Sequence, residues 1–302
     1  MVSFNGRFSS PIGMATSQPQ VVSGSNSFYT NQGGCRMAVD ATRDAETLSR
    51  YKYLPFTEGS LKMVTEGTLK FTCPLEFNDP FDCMPAYDLE SIDNLPLNRP
   101  DLIERVAHYH CVSIEEARLI GVANAHKGVG SGDFARGLVS ALGVFSLSRD
   151  PTNILMWSHY AEHHKGFVVE LRIAMDAPLH ILEHFMPFPV EYQVDRPVVD
   201  WASGCDITQY FLTKSPEWEY EQEERILTTW QGPGIHPYPR QHFLSAVIAG
   251  SKMSPENYLV LESALERASR EIGRKVPLYR AELAKTKYMV SIPGHPAAIS
   301  EP

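Results

Sequence analysis

The chain has 302 residues, 43% hydrophobic and 21% charged, which suits a large folded domain with a substantial core. Its net charge of −9 and pI of about 5.7 argue against a general nucleic-acid or membrane-surface binder. No apolar run approaches the roughly 18 residues a membrane helix needs; no basic-then-apolar secretory signal opens the chain; and five cysteines without a CxxC pair argue against a disulfide framework or structural zinc site.

Residues 1–39 contain no Asp or Glu and are rich in Ser, Gly, Asn and Gln. Such a stretch buries too little apolar surface to offset its ordering entropy. It predicts a disordered leader over 1–45, followed by a single α+β domain over 46–302. Only Arg7 and Arg36 are basic there, so an Arg-rich transit peptide fits badly. The leader resembles the Ser-rich, acid-poor N-termini of bacterial effectors exported by type III secretion. That resemblance implies a secretion chaperone as a partner of the leader.

In chain order, DATRDAETLSR (40–50) predicts a short helix running into an aromatic strand, YKYLPF (51–56). EGSLKMVTEGTL (58–69) predicts a helix stopped near Gly67, and LKFTCP (69–74) a strand. The turn-rich segment 74–85 predicts an ordered loop. Residues 98–142 read as helical, with a capping box from Ser113 to Glu116. ALGVFSLS (141–148) predicts a buried strand, TNILMWSHYAEHH (152–164) a helix and GFVVELRI (166–173) a strand. Short strands around FPVEYQV (188–194) precede a helix or helix pair over 207–224, broken at Pro216. RILTTW (225–230) and AVIAGSKM (246–253) predict strands, NYLVLESALERASREIG (257–273) an amphipathic helix, and PLYRAEL (277–283) a last strand. The expected fold is a mixed, mostly antiparallel sheet with flanking helices.

Four motifs carry chemistry. In Tyr51-Lys52-Tyr53, strand alternation puts both tyrosines on one face and Lys52 on the other. The tyrosines can stack a ligand and Lys52 can meet an anion, or the segment is simply a half-buried strand. In Phe77-Asn78-Asp79-Pro80-Phe81-Asp82, the phenylalanines would anchor a turn in the core. Asp79 and Asp82 would then bind a cation or a ligand hydroxyl. Ser146 and Ser148 precede Trp157, His159, Tyr160 and His163. A helix would set the two histidines one turn apart, but no third zinc ligand stands out, so a ligand pocket is the better reading. Lastly, Lys214 precedes WEYEQEER (218–225). Glu221 and Glu223 straddle a helix-to-strand junction, and Arg225 can pair with one of them bidentately.

These four motifs, in this order, resemble a large bacterial family catalogued as a domain of unknown function, over about residues 50–290. The segments GVFSLSRDPTNILMWSHYAEHHKGFVVEL and YEQEERIL are also similar to the strand-helix-strand and the glutamate-bearing strand of ADP-ribosyltransferases. That resemblance implies a split sheet and an enzyme that cleaves NAD and modifies a macromolecule, protein rather than nucleic acid, as a secreted toxin or effector. NAD would be the substrate and no metal would be needed. Glu221 or Glu223 would stabilise the oxocarbenium-like state, while Tyr160 or Trp157 would stack the nicotinamide beside His159. Ser146 or Ser148 would brace the ribose. Lys52 would meet the pyrophosphate, with Tyr53, Asn78, Asp79 and Arg225 completing the site. Lys52 or Tyr51 stands where that family carries His or Arg. Two alternatives remain: a metal-dependent hydrolase or nuclease using Asp79, Asp82, His159 and Glu223, and a non-catalytic binding module.

Overall fold

Alternating side chains build the central sheet. The computed structural model describes residues 47–174, 177–200, 207–228 and 230–297, so the expectations for the leader lie outside the described residues. Seven strands form one sheet: β1 (Thr47–Leu54), β2 (Gly143–Ser148), β3 (Phe167–Ala174), β4 (Phe188–Pro189), β5 (Glu223–Thr228), β6 (Leu244–Ala249) and β7 (Leu278–Arg280), in the spatial order β7-β6-β3-β1-β2-β5-β4. Only the β6–β7 pair is parallel. The fold is therefore α+β with a mixed, mostly antiparallel sheet, as expected.

Both faces of the sheet are covered. Phe167, Val169, Leu171 and Ile173 of β3 pack with Met63 and Val64 of helix α1 (Glu58–Thr65). Leu261 and Leu265, from a C-terminal amphipathic helix (Pro255–Ile272), join the same cluster. Val168 faces the opposite way, against Tyr51, Tyr53 and Trp157. The β-branched run in β3 thus reads as a strand buried on both sides. Ser254 caps the C-terminal helix and Gly273, with φ of 75°, ends it. The capping box from Ser113 to Glu116 opens the helix Ile114–Gly130.

The sheet is continuous in hydrogen bonding but joined weakly at one place. β1 pairs with β3 along all eight residues, and β2 pairs with β5 along all six. Between β1 and β2 only Tyr51 stands opposite Ser148. Farther along β2, Val144 exchanges both backbone hydrogen bonds with Thr72, at 2.8 and 2.9 Å, instead of with β1. A seam therefore opens between Lys52–Leu54 and Phe145–Leu147. Lys52 Nζ reaches across it to the Ser146 carbonyl at 2.8 Å.

Several local expectations need correction. Residues 47–50, expected in a helix, extend β1, because they pair with Arg172–Ala174 and Leu171 of β3. The expected helix over 207–224 breaks into a short helix (Ile207–Phe211), a strand pair at Thr213–Lys214 and a 3-10 turn (Pro216–Glu221), and β5 begins at Glu223 rather than Arg225. Phe81 does not anchor the core; it is 60% exposed. The Asx turn from Asp79 Oδ1 to the Phe81 N–H, at 2.9 Å, points the ring outward.

The helix expected over 152–164 is shorter, Ile154–His159, and is capped by Asn153. Beyond it Glu162, His163 and His164 all take left-handed backbone, with φ of 50°, 56° and 69°. His159 and His163 are thus not one helical turn apart, and the spacing that invited zinc is lost. Three consecutive non-glycine residues in this region are costly. The turn is held from outside: Lys252 N–H donates to the His164 carbonyl at 3.0 Å, and Gly250 N–H to the Gly166 carbonyl at 2.9 Å. A Cβ on Gly250 would lie 2.1 Å from the His164 carbonyl oxygen, so only glycine permits this approach. We expect Gly250→Ala to lower stability by about 3 kcal/mol, read as a fall in Tm by thermal denaturation; an unchanged Tm would show that the turn yields freely.

Candidate functional site

The seam opens into a cavity of about 440 Å³, within the range of small-molecule sites. Glu221 and Glu223 form one side, and Tyr160 with His159 another. Tyr51, Lys52 and Tyr53 come from β1, and Ser146 and Ser148 from β2. Asn78 enters from the FNDPFD loop.

The two glutamates meet on one lysine. Lys214 Nζ lies 2.6 Å from Glu221 Oε2, 3.1 Å from Glu223 Oε2 and 3.6 Å from Asp82 Oδ2. Arg225 completes the cluster. Its Nε and Nη2 donate to the two oxygens of Glu223 at 2.8 and 2.9 Å, and Nη2 also donates to Asp82 at 2.7 Å. Its Nη1 donates to the Phe211 carbonyl at 2.7 Å. Arg225 is 0% exposed and does not line the cavity. It acts through Glu223. Gln222, between the glutamates, adopts left-handed backbone with φ of 44°. The chain is not extended there, yet this twist still brings both carboxylates to Lys214.

The glutamates differ electrostatically. Burial opposes the charge of both. At Glu223, Arg225 and Lys214 outweigh burial and hold the carboxyl well below its usual range. At Glu221 burial prevails over Lys214, Glu223 adds like-charge repulsion, and the pKa is raised. Tyr160 donates its hydroxyl to Glu221 Oε1 at 2.5 Å. Burial, and then Glu221, push the phenol upward, so it stays a donor. Lys214 stays charged because Glu223, Glu221 and Asp82 overcome its desolvation. One carboxylate is thus fixed, and the other is poised to exchange a proton.

Other expected residues sit elsewhere or are otherwise engaged. Trp157 is fully buried; its indole N–H donates to the Pro151 carbonyl at 2.9 Å and its ring packs against Tyr53 and His164. It is core and cannot stack a ligand. Asp79 lines a second cavity, of about 260 Å³, on the far side of Asp82 and Lys214. The Ser148 hydroxyl is bound into a turn with Asp150, and the Tyr53 hydroxyl donates to the Asp150 carbonyl at 2.7 Å. Both line the cavity with their polar ends already used. Lys214 was visible before WEYEQEER, but its role as the hub was not. Tyr192, which accepts the Glu223 N–H at 2.8 Å, carried no sequence signal.

Among the described residues, no group of three or more His, Cys, Asp or Glu is arranged to hold a metal ion. Where Asp82 and Glu223 converge, the Lys214 ammonium already sits, and its charge would repel a divalent cation. No helix of the described residues is long and apolar enough to cross a membrane. No family model, curated protein or solved structure matches this chain.

Arg225→Met would leave two buried carboxylates short of a partner. We expect a loss of about 3–5 kcal/mol at pH 7. In the native protein Glu223, held below its unfolded pKa of about 4.3, contributes stability above that pH and loses it as acid is added. In the variant the order reverses, because protonation relieves the unpaired charge. Urea denaturation at pH 7 and pH 5 should therefore find the gap between the two proteins narrower at pH 5.

Proposed function

We propose that this chain is an enzyme that cleaves the nicotinamide–ribose bond of NAD and transfers ADP-ribose to a protein. The observation that carries this reading is the Tyr160–Glu221–Lys214 contact at the seam. It joins the aromatic segment and the glutamate segment, separated by some sixty residues, in one cavity wall. Bond cleavage builds positive charge on the ribose. A preformed carboxylate beside that carbon stabilises the charge without reorganising. Glu221 takes this part: it faces the cavity, and Tyr160 and Lys214 orient its two oxygens. Glu223 is the fixed negative charge behind it. Lys52 is positioned to meet a phosphate, Ser146 to brace the ribose, and Asn78 and His159 to contact the ligand. Trp157 takes no part, leaving Tyr160 as the aromatic surface.

The saturation of Glu223 by Arg225 and Lys214 favours a second reading, a non-catalytic binding pocket, because a fully paired network is also a rigid one. The acid-free, Ser-rich composition of residues 1–39 supports export of the enzyme as a bacterial effector acting in a host cell.

Incubation with NAD, with and without a host lysate, should release free nicotinamide. Glu221→Gln should lower that release about 100-fold or more while circular dichroism and Tm stay near native. Absence of nicotinamide in both incubations would remove the enzyme reading, and unchanged release by the Glu221→Gln variant would remove its mechanism.

A further inference from the structure

Lys52 differs from the other cation of this cavity. Lys214 is ringed by carboxylates. Lys52 Nζ has one hydrogen-bond acceptor, the Ser146 carbonyl at 2.8 Å, and lies 4.7 Å from the centre of the Phe145 ring. It makes no ion pair with any described residue. The side chain is half-buried and lines the cavity. The ring and the carbonyl both favour the ammonium, but a partly desolvated lysine with no ion pair, at the edge of a ligand-sized space, has the surroundings of an amine nucleophile.

We propose that Lys52 is an amine nucleophile that condenses with the aldehyde carbon of a small ligand in this cavity. The free amine adds to the carbonyl carbon. The carbinolamine so formed loses its hydroxyl as water, and a carbon–nitrogen double bond to Lys52 remains. The departing hydroxyl needs a proton, and the amine nitrogen gives one up. Glu221, backed by Tyr160, lines the same cavity and can exchange both. No oxidant or reductant is consumed. The inference rests on the cavity and not on NAD cleavage, although ADP-ribose in its open-chain form would offer such a carbon at C1.

The electrostatics agree with the geometry. Burial lowers the pKa of Lys52 to about 8. Glu223 and Glu221 pull it up, Lys70 pushes it down, and burial prevails. These groups come from β5, from the preceding 3-10 turn and from the strand Thr68–Phe71, and Glu76, Asp82, His159 and Lys214 line the same cavity. A useful fraction of the amine is therefore uncharged near neutral pH, whereas an exposed lysine, with a pKa near 10.4, is almost wholly protonated.

The full chain, treated with glycolaldehyde and cyanoborohydride at pH 7, should be modified at Lys52 at least about tenfold faster than at exposed Lys285 and Lys287, measured by peptide mass spectrometry. The Lys52 rate should level off above pH 8, while the exposed lysines continue to speed up towards pH 10. Lys52→Arg keeps the charge and the contact with Ser146, so it should fold with near-native Tm and lose the fast phase. Labelling of Lys52 at the rate of the exposed lysines, or without the plateau, would overturn the proposal. Nicotinamide release is read in a separate assay, so this result and the NAD reading stand or fall apart.

Discussion

The buried ion cluster around Lys214 and Arg225 governs the rest of this structure. Three carboxylates, Asp82, Glu221 and Glu223, share two cations, and all five side chains are almost wholly buried. Taking so many charges from water is expensive, and well-packed apolar side chains of the same volume would commonly be as stable or more so. The cluster therefore makes a weak case as a device for stability. Its value lies in what it ties together. Asp82 comes from the loop that follows the strand Thr68–Phe71, Lys214 from a two-residue strand, Glu221 from a 3-10 turn and Arg225 from β5. None of these segments except β5 has enough regular structure to hold itself in place. Their common charges fix one wall of the cavity.

The seam in the sheet is the second constraint. If β1 had continued to pair with β2, Lys52 would meet an unbroken ladder, and the Ser146 carbonyl would be consumed by a backbone amide. Because Thr72 takes Val144, the strands part and that carbonyl is left to Lys52. A sheet that loses ladder bonds at its centre must satisfy the freed groups in another way. A lysine ammonium does so and leaves a cavity. The left-handed turn at 162–164 works towards the same end. It turns the chain sharply after α-helical Ile154–His159, so that Tyr160 stays at the cavity while Phe167 enters β3.

How far this could be read from the residues depended on the range of the interactions. Short aromatic or apolar runs revealed β2, β3, β6 and the second half of β1, and helical spacing revealed the C-terminal helix, because each buries one face or two. The run WEYEQEER drew notice because acids beside an apolar strand are seldom left unpaired. What stayed hidden was set by contacts distant in sequence. Trp157 looked like a stacking platform, since nothing local shows that Tyr53 and His164 enclose it. Phe81 looked like an anchor, since Phe is usually buried, but the Asx turn at Asp79 decides its direction. Gln222 carries no local mark of positive φ, yet that twist lets two glutamates two residues apart meet one lysine. The hub role of Lys214 needs Asp82, which is more than a hundred residues away.

The contrast between the two glutamates follows from where Arg225 sits. The guanidinium is planar and gives Glu223 a two-pronged contact, one bond to each carboxylate oxygen, while also donating to Asp82, so Glu223 is left with little freedom. Glu221 receives only an ammonium and a phenol, and the ammonium also has Glu223 and Asp82 within reach. A ligand entering the cavity could take the place of the Tyr160 hydroxyl on Glu221 without disturbing the cluster behind it. Displacing Glu223 would instead leave the fully buried Arg225 with Asp82 as its remaining carboxylate partner. The outer carboxylate thus keeps a freedom that the inner one lacks, and the cost of burying Arg225 is understandable as the means of keeping them unequal.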